Sequence, residues 1–581
     1  MQKRWIIKEE NDNEIIDRLA RDLNINPVLS NLLTQRGITD FDSAKKFFRP
    51  GLDQLHDPFL MTDMDKAVDR ILNAVSKDEK ILVYGDYDVD GTTAVALVYS
   101  FLKRFYDKLD YYIPDRYMEG YGISVKGVDY ASDNGFSLVI ALDCGIKANT
   151  TISYALSKGV DFIVCDHHRP GDEIPQAFAV LDPKRPDCLY PYKELSGCGI
   201  GFKLIQALAQ KKEIAFDDII RYLDLVVVSI ASDIVPITGE NRILAFFGLK
   251  LVNTNPCPGI ESILRFSGIN KQDISFSKKT YSFSRELTIS DLVFLVGPRI
   301  NAAGRIESGK NSVELLISPS LEDANDLAVK INLCNNERKT LDSSATEQAL
   351  KMIEESEELR NRKTTVLFNS EWHKGIVGIV ASRLTETYYR PTIILTSSNG
   401  LITGSARSIK NFDIYDAIDA CGNLLEHFGG HKYAAGLSLK PENLEAFTEK
   451  FEEIVNASIE DDMLIPEIEI DAVISLNDIS NGFYNVLKQF APFGPDNMSP
   501  VFMTEGVKDA GNSRVVGEKH IRLNIFDPDK SGFPMQGIAF QQSDYFDKIK
   551  QGTPFNICYH LEENEWNGNV YLQLNVKDIR F

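Results

Sequence analysis

The sequence of 581 residues lacks most of the features that mark export, membrane insertion or a zinc framework. Its eight cysteines form no Cys-x-x-Cys pair and lie far apart, several beside apolar residues, so neither a metal knuckle nor a disulfide scaffold is encoded. No stretch approaches the ~18 uncharged apolar residues that a membrane span requires. The opening Met1-Gln2-Lys3-Arg4-Trp5-Ile6-Ile7-Lys8-Glu9-Glu10 is too charged for a secretory leader. A reducing cytoplasm is therefore expected. Positive charge is also short: 63 Lys and Arg against 84 Asp and Glu leave a net charge of −21. The global field cannot hold a polyanion, and any nucleic acid must meet a local basic patch. Hydrophobic residues at 43% and charged residues at 25% exclude wholesale disorder. At ~100–200 residues per domain, the length implies several domains.

Between Lys80 and Pro170 one local pattern recurs, an apolar β-prone run that ends in aspartate. Ile81-Leu82-Val83-Tyr84 leads to Asp86, Ser137 to Leu142 leads to Asp143, and Phe162-Ile163-Val164-Cys165 leads to Asp166. Continuous apolar runs suit strands buried on both faces of a parallel sheet, with Gly91 to Phe105 and Lys147 to Lys158 as crossover helices. Further apolar-faced helices are expected over Phe216 to Ile234 and Asn241 to Val252. From Leu321 to about Arg360 there is neither Gly nor Pro, while Leu327, Ile331, Cys334, Leu341, Ala345, Ala349 and Ile353 recur at helical spacing. At ~1.5 Å per residue this predicts a connecting strut of roughly 60 Å. A second α/β unit follows, with strands over Thr364 to Phe368 and Thr392 to Thr396, a helix over Gly375 to Tyr388, and a glycine-rich segment from Phe428 to Gly436. Past Pro466 the period falls to two, at Ile468-Ile470-Ala472, Ile521-Leu523-Ile525 and Leu572-Leu574-Val576. With a hairpin turn at Trp566-Asn567-Gly568-Asn569, this suggests a small β barrel of about 110 residues, OB-like among the candidates.

The sharpest chemical signal is Asp86-Tyr87-Asp88-Val89-Asp90-Gly91, three carboxylates on alternate residues between a predicted strand and a predicted helix. In open parallel sheets the crevice beyond the strand ends is where sites form, so Asp86, Asp88, Asp90, Asp143 and Asp166-His167-His168 should converge. So many acids in one crevice require cations, and carboxylate plus imidazole donors suit manganese or magnesium. Two such ions would clamp an attacking water and a leaving oxygen for phosphoryl displacement. Any one of these aspartates alone is more often a helix cap.

These residues carry a resemblance. Asp166-His167-His168, with Asp88-x-Asp90 upstream and Asp143-Cys144-Gly145 between, resembles the DHH phosphoesterase superfamily. The phrases Pro114-Asp115-Arg116-Tyr117-Met118-Glu119-Gly120-Tyr121-Gly122 and Gly297-Pro298-Arg299-Ile300-Asn301-Ala302-Ala303-Gly304-Arg305, with Gly-Gly-His-x-x-Ala-Ala-Gly from Gly429, resemble the RecJ family of single-strand-specific 5′→3′ DNA exonucleases. The match extends over nearly the whole chain.

The resemblance implies a mixed α/β fold in these parts: an N-terminal arm over 1–70, a DHH domain over 71–318, a connecting helix over 319–362, a DHHA1-like domain over 363–462 and an OB-like DNA-binding barrel over 463–581. It implies two divalent ions, Mn2+ or Mg2+, on Asp88, Asp90, Asp143, His167 and Asp233, with Asp86 close by, and His168 as the partner of the scissile phosphate. Asp88, Asp143 and His167 join His168 in the catalytic set. Asp233 ends Ser-Ile-Ala-Ser-Asp where the family has Gly-Thr-x-Ala-Asp, and as an acid at a helix C-terminus it would otherwise read as a solvated end. Arg116, Asn301, Arg305, Ser405, Arg407 and His431 correspond to groups that hold the substrate. Arginine forks suit phosphate oxygens, and glycines beside His431 would let backbone amides approach a phosphate. Trp372-His373-Lys374-Gly375 also resembles a family phrase, with no role assigned beyond proximity to the cleft. Gly197-Cys198-Gly199-Ile200-Gly201 lacks the spacing of a dinucleotide turn and is set aside. In the barrel, Phe493, Tyr545 and Tyr571 are candidates for stacking on unpaired bases.

The function expected is metal-dependent hydrolysis of single-stranded DNA from the 5′ end to mononucleotides, in DNA repair and recombination. The expected enzyme is a monomer with single-stranded DNA, a single-strand-binding protein and a helicase as partners. The alternatives are a phosphodiesterase of oligoribonucleotides or cyclic dinucleotides, and an inactive scaffold of the same architecture.

Overall fold

The computed structural model describes residues 3–272, 281–528, 532–566 and 569–581. The chain forms two compact units. One gathers Ile6–Gly304, Ser308–Val329 and Glu469–Phe581, and the other gathers Arg305–Glu307 and Lys330–Ile468 with the start of the chain.

The first unit is built on a fully parallel sheet of Leu109–Tyr112, Lys80–Gly85, Phe136–Leu142, Asp161–Cys165 and Ala179–Leu181, in that spatial order. The apolar runs are continuous because both faces are covered: Ile81 to Tyr84 and Leu138 to Leu142 are all buried. The expected crossover helices form over Val89–Leu102 and Asn149–Ser157. The helix expected over Phe216 to Ile234 is divided at Arg221-Tyr222 into Asp217–Ile220 and Leu223–Ser232, and the next forms over Gly239–Thr254.

The strut is a single helix over Leu321–Glu355, 35 residues or about 52 Å, shorter than expected because Ser356 caps a separate short helix, Glu357–Asn361. Its apolar stripe is buried at Ile331, Cys334, Ala345, Ala349 and Ile353 but interrupted by buried Asn335 and Asp342. The Asp342 carboxylate is answered by Arg383 at 2.7 Å.

In the second unit the sheet order is His427–His431, Ala434–Leu439, Leu401–Arg407, Thr392–Ser398, Thr365–Phe368. Only the last pair is parallel. The glycine-rich segment thus forms two paired strands. Their tight approach needs Gly430, whose φ of 152° no side chain could share, since a Cβ there would lie 2.3 Å from the Ala434 carbonyl oxygen.

The barrel of the first unit closes on itself: Phe502–Asp509, His520–Phe526, Met535–Ala539, Asn569–Arg580 and Phe555–Trp566 pair in sequence, and Phe555–Trp566 returns to Phe502–Asp509. Five strands in this order, with a short helix Phe546–Lys550 between the third and fourth in sequence, make an OB-type barrel. The middle of the expected hairpin turn, 567–568, lies outside the described residues, although Trp566 and Asn569 pair across it. Its core also takes in Leu19, Leu29, Leu32, Leu33 and Ala44. These residues come from the helices Asn13–Leu23, Pro27–Thr34 and Phe41–Phe48, so the N-terminal segment is a cover of the barrel and not a free arm. Phe493 and Tyr545 pack against this core, and only Tyr571 of the three stacking candidates is exposed. Among the described residues no helix is long and apolar enough to cross a membrane.

Candidate metal centre and phosphate-binding groups

Three consecutive strand ends supply the acids. Beyond Lys80–Gly85, Asp88 caps the helix Val89–Leu102 by accepting the Gly91 N–H at 3.0 Å, so the turn that leaves the sheet also orients its carboxylates. Gly91 is required, because a Cβ would meet the Asp86 carbonyl oxygen at 2.4 Å. Beyond Phe136–Leu142, Asp143 adopts φ 59°, a left-handed backbone that Asp tolerates better than most residues. Beyond Asp161–Cys165 come Asp166, His167 and His168.

His167 lies at the centre. Its Nε2 is 3.2 Å from Asp143 Oδ1, 3.5 Å from Asp233 Oδ2 and 3.7 Å from Asp90 Oδ2. Asp233 is the C-terminal cap of Leu223–Ser232, and Ile234 after it has φ 58°. A β-branched residue there is strained by ~1–3 kcal/mol, and the strain adjoins a candidate ligand. Asp90 is fixed by the start of the helix Gly197–Lys211: the Gly197 and Cys198 N–H groups donate to its two oxygens at 2.7 Å each. The Ser229 hydroxyl donates to the same carboxylate at 2.7 Å. Gly197 also leaves room for Asp143, whose side chain a Cβ would approach to 2.7–2.9 Å.

The donor set fits divalent cations. Asp86 Oδ2, Asp143 Oδ1 and both ring nitrogens of His167 are buried without a hydrogen-bond partner, the His167 approach to Asp143 being close but not aligned. Each such unmet group costs ~1–3 kcal/mol. Burial, then the charge of neighbouring acids, raises Asp86, Asp88 and Asp143 above the usual carboxylate range and pushes Asp233 up to about 8. Burial lowers His167 and keeps its ring neutral, with a lone pair to offer. Two overlapping triads, Asp143-His167-His168 and Asp90-His167-Asp233, each hold their ligand atoms within 4.8 Å. Of the expected set, Asp90, Asp143, His167 and Asp233 are thus brought together. Asp88 acts electrically on Asp143 and Asp233, and Asp86 is linked to the group through Asp88.

His168 differs in kind from His167. Asp166 accepts from the N–H groups of Ile146, His167 and His168 at 2.8, 2.8 and 3.1 Å and from His168 Nδ1 at 2.7 Å. Burial alone would raise Asp166, but these bonds and the His168 charge hold it to about 2. Against its own burial, His168 is raised to about 9, chiefly by its bond to Asp166, which favours the imidazolium in the absence of cations. Its Nε2 lies 3.2 Å from the Tyr121 hydroxyl, which donates to the Asp143 carbonyl at 3.1 Å. The side chain is 43% exposed, a cation presented to the crevice.

Sequence reasoning missed the Gly197 and Cys198 amides, Ser229 and Tyr121. The Gly-Cys-Gly-Ile-Gly run was the available signal: as a dinucleotide turn it fails, but after Ser196, which caps the helix, it is an N-terminus whose first amides are open to a carboxylate.

Of the candidate substrate groups, Arg116 lies over the Tyr87 ring at 4.8 Å and draws Asp86 and Asp88 downward electrically. Asn301 stands one turn before Gly304 in the helix Gly297–Ile306, and a Cβ at Gly304 would be 2.8 Å from the Tyr87 carbonyl oxygen. The others belong to the second unit. Register aligns Arg407 with Ala434 and His431, and Ser405 with Gly436 and Gly429, so Ser405, Arg407 and His431 share one sheet face, bare of side chains at the two glycines. Arg407 Nη1 donates to Ser405 Oγ and the Ala406 carbonyl at 2.8 Å each. Burial lowers Arg407, and no carboxylate among the described residues counters it. A Cβ at Gly378, at the start of the helix Val377–Tyr388, would be 3.1 Å from both Arg407 Nη2 and Ser405 Oγ, and that helix has no side-chain cap. Arg305 donates to the Gly375 carbonyl at 2.7 Å, in the Trp372-His373-Lys374-Gly375 phrase.

Comparison with known proteins agrees with this layout. Residues 80–230 match the DHH family N-terminal domain, 361–457 the DHHA1 domain and 470–578 the RecJ OB domain. The single-stranded-DNA-specific exonuclease RecJ of Bacillus subtilis is 34% identical over 99% of this chain and 70% of its own length. The RecJ of Salmonella typhimurium is 33% identical over 95% of this chain and 96% of its own. The crystal structure of RecJ from Thermus thermophilus in complex with Mn2+ superimposes with a TM-score of 0.83 at 24% identity, covering 100% of this chain and 79% of that one. With a carboxylate centre on DHH strand ends, a DHHA1 domain and an OB barrel in one chain, the protein belongs to the RecJ family of single-stranded-DNA-specific exonucleases.

Proposed function

We propose that the chain hydrolyses single-stranded DNA from its 5′ end to mononucleotides. The observation that carries the reading is the group of Asp90, Asp143, His167 and Asp233, the first three buried, in which mutual repulsion and the unpartnered ligand atoms of Asp143 and His167 call for cations. Two divalent ions, Mn2+ or Mg2+, held by these residues with Asp88, and with Asp86 behind it, would neutralise the phosphate and activate water and leaving oxygen. The relatives' Mn2+ complex supports that choice. The chain's own groups do the rest. His168, protonated by its bond to Asp166, offers a charge-assisted hydrogen bond to the scissile phosphate. Arg116 beside Tyr87, with Asn301 in the neighbouring helix, supplies contacts near the reacting end. In the second unit Arg407, with no acidic partner among the described residues, joins Ser405, His431 and the uncapped helix start to take a phosphate, and Arg305 braces the Gly375 turn. An inactive scaffold would be free to lose these acids, and this chain retains them all. Because backbone and stacking contacts carry no base code, sequence should hardly matter. A single-strand specificity also implies partners that unwind and present the end, a helicase and a single-strand-binding protein, around a cytoplasmic monomer. The test is incubation with Mn2+ and a strand labelled at either end. Labelled mononucleotide released at once from the 5′ label, and none from a duplex, supports the reading. Release from the 3′ label first would overturn it.

A further inference from the structure

The loop from Asp115 to Ser124 carries Arg116 and Tyr121 to the centre; Ile123 near its end is buried in the core, but its tip is not held by packing. Met118 is 72% and Tyr121 56% exposed. Glycines at φ 82° and 86°, Gly120 and Gly122, turn the chain through left-handed conformations. Asp115 turns the start of the loop, its carboxylate accepting the Tyr117 and Met118 N–H groups at 2.8 Å each and its carbonyl the Glu119 N–H at 2.9 Å, and one further side chain ties that turn to its neighbours. Glu119 Oε1 accepts the Asp115 N–H at 2.9 Å, and its two oxygens accept the Tyr112 hydroxyl at 3.1 and 3.0 Å. Oε2 also accepts the Ser124 hydroxyl at 2.5 Å. Ser124 in turn caps the helix Val125–Asp133 by accepting the Gly127 N–H at 2.8 Å. Tyr112 ends the edge strand Leu109–Tyr112 of the parallel sheet. Glu119 therefore ties the start of the loop to a strand on one side and to a helix cap on the other, through neutral donors alone. Beneath it, the Tyr84 hydroxyl donates to the Gly122 carbonyl at 2.8 Å, so the end of the loop is anchored independently.

We propose that Glu119 is a positioning residue for the hydrolysis proposed above: it touches neither substrate nor cation, and acts by holding Arg116 against Tyr87 and Tyr121 against His168. The inference rests on the functional reading, and the two can fail separately. A carboxylate is suited to the task because three donors from three elements converge on it, each an acceptor-seeking group that no apolar side chain could serve. Displacement of a positioned group by about 1 Å is enough to cost about a hundredfold in rate.

The experiment compares the full chain with Glu119→Ala, Glu119→Gln, Tyr112→Phe, Tyr121→Phe and the Glu119→Ala/Tyr121→Phe pair, by single-strand hydrolysis, Mn2+ titration, global melting and amide hydrogen exchange. Glu119→Ala should lower kcat/KM by about a hundredfold. Its Mn2+ affinity should stay unchanged and the chain should remain folded at the assay temperature, while exchange at Glu119 to Tyr121 should quicken. Glu119→Gln keeps an acceptor for the Asp115 N–H and should stay within about fivefold of the parent, with Tyr112→Phe between the two. If Glu119 works through Tyr121, the double variant should lose far less than the product of the single losses. Parent-like hydrolysis by Glu119→Ala, equal losses for Ala and Gln, or losses that multiply in the double variant would each overturn the proposal. A parent chain that cleaves no single strand would sink the functional reading instead, while the exchange measurement would still decide whether Glu119 holds the loop.

Discussion

Asp143 combines a left-handed backbone, full burial and a carboxylate among like charges, a costly residue unless it takes part in chemistry. Asn accepts the same backbone and the same volume. Asp143→Asn should therefore leave a folded chain whose cation-free melting temperature equals or exceeds the parent's, because one repelling charge is gone. Hydrolysis should fall more than about a hundredfold, as several kcal/mol of transition-state stabilisation is lost. A variant that kept above about a tenth of the parent rate with Mn2+ saturating would show that Asp143 holds no ion. The same residues predict a pH effect. Asp86, Asp88, Asp143 and Asp233 are raised, the last to about 8, so the folded chain without cations binds protons more tightly than the unfolded one. Their stabilising protonation is complete below the ordinary carboxylate value and is lost as pH rises through the folded values, so the cation-free protein should weaken between about pH 4 and 8. Cations that replace those protons should reverse the loss. The melting increase from Mn2+ over a chelator should be larger at pH 8 than at pH 6, and a smaller one would contradict the shifts.

At the level of strands and helices, what could be read early was what depends on near neighbours. Apolar runs that end in Asp86, Asp143 and Asp166 declare a parallel sheet and its crevice, because a buried strand and the turn that leaves it are local events. Asp233 could be found only through resemblance, since nothing near a helix end says which distant carboxylates it will meet. The amides of Gly197 and Cys198 escaped for the same reason, their partner Asp90 lying 107 and 108 residues away. The second unit's proposed phosphate face is a matter of register: a slip of one residue would turn Arg407 and Ser405 to the opposite side. Arg407→Ala should therefore weaken use of a 5′-phosphorylated strand roughly ten- to hundredfold while leaving Mn2+ affinity intact. Arg407→Lys should recover only part, for want of the planar fork. Equal losses on 5′-phosphate and 5′-hydroxyl strands would show that Arg407 does not read the end.

Across the whole molecule, the OB barrel and the N-terminal helices share one core. A protein ending near Asp461, which composition alone would suggest as a separable catalytic piece, would expose Leu19, Leu29, Leu32 and Leu33, each now at most 1% accessible. At ~1.5–3 kcal/mol per buried leucine this loss is large, and the truncated chain should aggregate. Removing residues 1–50 as well should restore solubility, which light scattering of the two truncated forms would check. A soluble, monomeric single truncation would mean that the shared core contributes little.

The pairing of Arg4–Ile7 with Glu467–Ile470 also sets a clock. The ion pair of Lys8 with Asp471 spans 463 residues of sequence, and at ~5–20 residues per second a ribosome needs roughly 20–90 s to produce the second partner after the first. For that interval the apolar residues that the first three helices turn to the barrel core lack that cover. The nascent chain thus presents a sticky leading segment for most of its synthesis, a natural client for a chaperone that binds early and lets go late.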